Sequence, residues 1–118
     1  MSLDSRFLFL PEELKKAKEI EGYLAKVGYD ASTRTLTTCT GEKYSVGFRI
    51  ENHVFPIVDR KTHNIYICRD GFYDGSLYSR LHRILVAIGR LNFEGSHNEE
   101  EFAERFSEQQ LKEMKVGV

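Results

Sequence analysis

Residues that mark specialised protein classes are scarce in this chain. Its 118 residues include two cysteines, Cys39 and Cys68, 29 positions apart and in no C-x-x-C pair. That spacing argues against a disulfide-built miniprotein and shows no C-x-x-C redox signature. Both lie in strand-like segments and are expected to be buried thiols in a reducing compartment, with a single disulfide or a reactive thiol as alternatives. No apolar run approaches the roughly 18 residues that a membrane-spanning helix needs. Met1-Ser2-Leu3 lacks the basic and apolar regions of a secretory signal, so the expectation is a cytoplasmic protein with no membrane partner. The glycines form neither G-x-G-x-x-G nor a Walker loop, and nucleotide binding has no support. The histidines (His53, His63, His82, His97) show neither H-x-x-x-H nor H-E-x-x-H, so no metal site and no cofactor are expected.

What remains is a globular composition, 41% hydrophobic and 30% charged, which excludes a wholly disordered chain. The length suits one α+β domain over 1–118 with its own core. Net charge is −1, unevenly spread: residues 34–93 carry an excess of four positive charges and residues 94–118 an excess of four negative ones. A basic middle followed by an acidic helical tail (94–118) bears on contacts and partners, not on fold.

Arg6–Leu10 is a short apolar run that fits an edge strand or a lead-in to the first helix. Pro11 suits a first helical position, Glu12 and Glu13 favour the positive end of the helix dipole, and Ala17, Ile20, Leu24 and Val27 make one apolar stripe. Gly28 is the expected left-handed stop. Four strands are then predicted: Thr33–Thr40, β-branched and edge-like; Lys43–Glu51, with Tyr44, Val46, Phe48 and Ile50 alternating against Ser45, Gly47 and Arg49; Val54–Asp59, edge-like or bulged because Pro56 cannot donate; and Asn64–Arg69. Their short polar connections favour a four-stranded antiparallel meander. A long central helix follows, capped by Asp74 or Ser76, with Leu77, Leu81, Ile84, Leu85, Ile88 and Leu91 on one face. The tail returns to helix at a capping-box spacing, Ser96 with Glu99 or Asn98 with Glu101. Phe102 and Phe106 give it a narrow apolar edge, and Ser107 with Gln110 offers a second cap where it is expected to break. The central and tail helices should pack with the first on one sheet face.

The central helix also carries the main candidate site. Arg83 and Arg90 project opposite its apolar face, with Arg80 nearer the rim. Guanidinium forks there suit a phosphate or carboxylate surface. The plainer reading is a solvated outer face, and a third is that Glu99, Glu100, Glu101, Glu104 and Glu108 fold back onto it or onto a second subunit. Tyr78, His82 and Gly89 border a small-residue gap that fits a pocket, a helix–helix contact or a simple rim of the core. Asp59 and His63 flank a hairpin with Arg60 and Lys61 between them, a spacing that suits an acid–base pair or two metal ligands. An exposed hairpin tip rarely supplies the concave site such chemistry needs. Asp70 to Gly75 superficially resembles an acidic calcium loop but lacks the further oxygen donors, leaving a tight turn and a helix cap.

No catalytic constellation emerges. The expected function is a non-catalytic protein-interaction module, in its simplest form a homodimer, acting through sheet edges and charged helical surfaces. The alternative is a weak nucleic-acid binder using Arg80, Arg83, Arg90, Arg49, Arg60 and Lys61, opposed by a pI near 6.4 and by the acidic tail. A small enzyme using Asp59 with His63, or His82 with Tyr78, ranks third.

Overall fold

The computed structural model describes residues 11–49, 53–68, 75–95 and 98–117, and within the first helix not the side chains of residues 11–14, 16 and 17. The expectations for Arg6–Leu10, Glu12, Glu13, Ala17, Ile50, Arg69, Asp70 to Asp74, Ser96 and His97 lie outside the described residues. Helix α1 (Pro11–Leu24) runs into a 3-10 turn, Ala25–Val27. Ile20 and Leu24 are buried on its inner face. Gly28 ends it at φ 100°, where a Cβ would stand 2.4 Å from the Thr37 carbonyl oxygen. Only glycine fits a left-handed residue so close to a neighbouring strand.

The chain then forms β1 (Tyr29–Asp30), β2 (Thr35–Thr37), β3 (Lys43–Arg49), β4 (Ile57–Asp59) and β5 (Asn64–Cys68). The α+β class is as expected, but the sheet has five strands, not four, in the order β1-β2-β3-β5-β4. It is also mixed, because β3 and β5 are parallel neighbours while the other pairs are antiparallel. The expectation failed on insertion, not on connection length. Each short connection does join antiparallel strands, but β3 and β4 stand two strand spacings apart, about 10 Å. β5 then returns into the gap beside β3. The Thr33–Thr40 segment supplies only a three-residue strand and is not the sheet edge, since β1 pairs outside it. β4 is the edge on the other side.

Tyr29, Leu36, Tyr44, Val46, Ile65 and Ile67 are buried on one sheet face. Against them lies α2 (Leu77–Leu91), capped by Ser76, whose hydroxyl accepts the Ser79 N–H at 3.1 Å. Leu81, Ile84, Leu85, Ile88 and Leu91 are all buried and Leu77 packs against the same cluster, as the wheel required. Burying six such side chains contributes on the order of 10 kcal/mol before entropy is subtracted. Asn92 ties the end of α2 to the β2–β3 turn, accepting the Cys39 N–H at 2.7 Å. Of the two cysteines only Cys68 is buried; Cys39 is exposed in that turn. Helix α3 (Glu99–Glu113) packs along α2 and sends Leu111 and the following Met114 into the core.

Candidate functional site

Three faces of α2 organise the polar chemistry. Besides the sheet side, Val86, Ala87 and Gly89 are buried too, because α3 covers a second side of the helix. At Gly89 the two helices touch so closely that a Cβ would lie 3.0 Å from Ala103 Cα and 3.1 Å from Phe106. The small-residue gap bordered by Tyr78, His82 and Gly89 is thus the seat of a helix–helix contact.

His82 sits at its centre. Its Nδ1 is 2.8 Å from Ser107 Oγ, its Nε2 is 3.4 Å from Glu104, and its ring stacks on Tyr78 with centroids 6.1 Å apart. The tautomer sets which way the Nδ1–Oγ bond runs, and Nε2 faces the Glu104 carboxylate. Serine, imidazole and carboxylate follow one another as in a hydrolase triad, but with the two ring nitrogens exchanged. Yet Ser107 is 0% exposed, so no acyl group can reach its oxygen, and in this arrangement the hydroxyl joins α2 to α3. The same contact explains why α3 does not break at Ser107: its hydroxyl points to His82 instead of capping a new helix.

The arginines do not share one surface. Arg80, expected near the rim, is 5% exposed and 3.8 Å from Glu19 of α1. Burial lowers its pKa from the ordinary arginine value, while Glu19 opposes that shift. Arg83 is half-buried and donates from Nε to the Ser79 carbonyl at 3.1 Å. Arg90 is exposed and 3.6 Å from Glu100. Arg60 pairs with Glu99 and donates to the Arg90 carbonyl at 3.3 Å. The acidic start of α3 therefore folds back onto the basic middle within the same chain. It begins at Asn98, whose amide donates to Glu101 at 2.7 Å rather than capping the backbone. Arg49 projects from the sheet face away from α2, its guanidinium 3.8 Å over the Tyr66 ring.

Asp59 and His63 take separate partners. Asp59 accepts the Lys61 and Thr62 N–H groups at 3.0 and 3.3 Å, and the bonds from Thr62 hold its carboxyl below the usual range. His63, at φ 54°, stacks on Tyr44 at 4.7 Å and donates from Nδ1 to the Lys43 carbonyl at 3.1 Å. Both are hairpin architecture. Among the described residues no group of three His, Cys, Asp or Glu side chains could hold a metal ion, and no helix is long and apolar enough to cross a membrane.

The arginine–glutamate pairs instead frame a cleft of about 860 Å³ between β4 and the α2–α3 junction, lined by Phe55, Pro56, Val58, Arg60, Val86, Ala87, Arg90, Glu99 and Glu100. Its walls are apolar and its mouth is charged, the usual composition of a binding site. Phe55 in its lining is 55% exposed, and the preceding Val54 is 39% exposed. Sequence reasoning found Arg90 and the β4 edge but not the cleft, since Val86 and Ala87 had no assigned partner. An apolar run around Pro56, beside a helix with apolar residues off its main stripe, was the available signal. No family model matches the chain, and neither the curated proteins nor the solved structures provide a match.

Proposed function

We propose that the protein is a non-catalytic interaction module that receives a segment of a partner protein in the cleft beside β4. The observation that carries this reading is the coincidence of a sheet edge with an apolar concavity. Among the described residues no strand pairs outside β4, and exposed Phe55 lines the cleft. Edge strands recruit extended chains, and apolar pockets beside them select side chains. The alternative of a nucleic-acid surface draws less support. Four of its six basic groups are divided between the interior (Arg80), ion pairs with α3 (Arg60, Arg90) and the opposite sheet face (Arg49).

The test is a two-dimensional 1H–15N NMR titration with pools of random dodecapeptides, and separately with generic DNA and RNA. Peptide-induced shifts confined to residues 54–60, 86–90 and 99–100 are expected. No response to any peptide pool at millimolar concentration would sink the reading. Salt-sensitive shifts with nucleic acid alone would favour the alternative.

A further inference from the structure

We infer that the occupant of this cleft is an extended peptide added to β4 as an antiparallel sixth strand, with a basic–apolar–β-branched–apolar pattern. The inference rests on the interaction reading above and follows from the direction of each backbone group in the sheet. Ser45 N–H donates to the His63 carbonyl at 2.9 Å, in a parallel register that pairs Ser45 with Asn64. That turns the polar backbone groups of Ile65 toward β3 and those of Asn64 and Tyr66 toward β4. Their partners there are Asp59 and Ile57, which spend their own N–H and C=O groups on β5. By strand alternation the N–H and C=O of Val58 point outward, to the open edge. Continued one residue before the strand, the same alternation would turn the carbonyl of Pro56 outward; its nitrogen carries no hydrogen.

A strand laid along this edge therefore finds one full two-bond pairing, at Val58, and one further acceptor, at Pro56. The residue pairing with Val58 shares its sheet face, and strands lie about 4.8 Å apart. Its side chain consequently enters the cleft against Val86 and Ala87. The residue two positions later, opposite Pro56, enters the same cleft beside Phe55. Both should be apolar. The residue between them lies on the other face beside Ile57 and should be β-branched. The residue preceding the pair lies beside Asp59, a carboxylate held in its charged form by Thr62. A lysine or arginine there supplies the matching charge.

A second copy of this chain fits less well. Two-fold pairing about Val58 would set Asp59 against Ile57, with no cation beside it, and would offer each cleft only the second copy's Val58, a smaller side chain than a leucine. Unfilled apolar volume is costly.

The probe is acetyl-Thr-Lys-Leu-Thr-Leu-Ser-amide, titrated into the full-length protein and followed by 1H–15N NMR, together with versions N-methylated at single backbone positions. The peptide should shift residues 54–60 and 86–90. N-methylation of either leucine should weaken binding about tenfold, the order expected for one lost hydrogen bond, while N-methylation of the threonine between them should change it little. Replacing the lysine by glutamate should weaken it as well. Binding with no alternation along the N-methyl series overturns strand addition and leaves the interaction module standing. Failure of this peptide where random pools bind overturns the pattern. Silence from every peptide removes both, and self-association of the protein with broadening at Val58 would replace the peptide by a second copy.

Discussion

His82 Nδ1 lies 2.8 Å from Ser107 Oγ, joining a half-exposed imidazole on α2 to a hydroxyl on α3 with no surface of its own. The pair fixes how the two helices meet, and its energetics can be separated from packing. Ser107→Ala should cost about 1 kcal/mol, because the imidazole left behind can turn to water. His82→Leu should cost more, on the order of 1–3 kcal/mol, since it leaves the buried hydroxyl only its long contact to the residue 82 carbonyl, at 3.5 Å. The double variant should be less destabilised than the sum of the singles, as expected of directly contacting groups. Urea unfolding of the four proteins measures this, and strict additivity would show that the bond contributes nothing.

Two helical glycines should respond to alanine with opposite signs. Gly22 is exposed in α1 with nothing near its missing Cβ, so Gly22→Ala should stabilise by about 0.5–1 kcal/mol through helix propensity. At Gly89 a methyl would meet Ala103 Cα at 3.0 Å. Backbone cannot swing aside, so overpacking of about 1–3 kcal/mol should outweigh the propensity gain. Thermal melts of both variants suffice, and a more stable Gly89→Ala protein would mean that the helix crossing is looser than described.

Buried Glu21 accepts from the Tyr29 hydroxyl at 3.1 Å. Burial first, and then the Glu21 carboxylate, push the Tyr29 pKa well above its usual value of 10.0. A raised folded-state pKa means that this contribution to stability is intact below pH 10 and is lost as the pH climbs further. Denaturant midpoints measured from pH 7 to 12 should fall above 10, and Tyr29→Phe should flatten that fall. The substitution should also cost about 1–3 kcal/mol at pH 7, by leaving a buried carboxylate short of a donor. An unchanged alkaline profile would assign the fall to other tyrosines.

The ion pairs at the cleft mouth should matter little to stability. Glu100 is 82% exposed where it meets Arg90, so Glu100→Gln should shift unfolding by less than about 0.5 kcal/mol, and by less still in high salt. A larger loss would mark the pair as part of the α2–α3 junction rather than an ornament of its rim.

Several features of the molecule are local and were legible in the chain. Gly28 stops a helix because a left-handed residue is needed there, and Ser76 caps α2 because a hydroxyl stands ahead of a periodic apolar run. The alternation of β3 and the apolar face of α2 follow from periods of 2 and 3.6 residues that tertiary structure did not alter. Other features depended on which elements became neighbours. β5 lies between β3 and β4, with Val46 and Ile65 buried side by side beneath α2, and no local signal distinguishes that order from a meander. Ser107 carried the local signature of a cap and became a buried partner of His82, 25 residues away. Arg80 is buried 3.8 Å from Glu19, on a helix that the sequence separates from it by the whole sheet. The sequence by itself thus determined the helices, the stop of α1 and start of α2, and the core faces of β3 and α2, because backbone conformation and burial pattern there are set within a few residues. Only the tertiary structure decided the strand order, the fate of each charge and the cleft beside β4, because those depend on side chains that meet across distances no local period encodes.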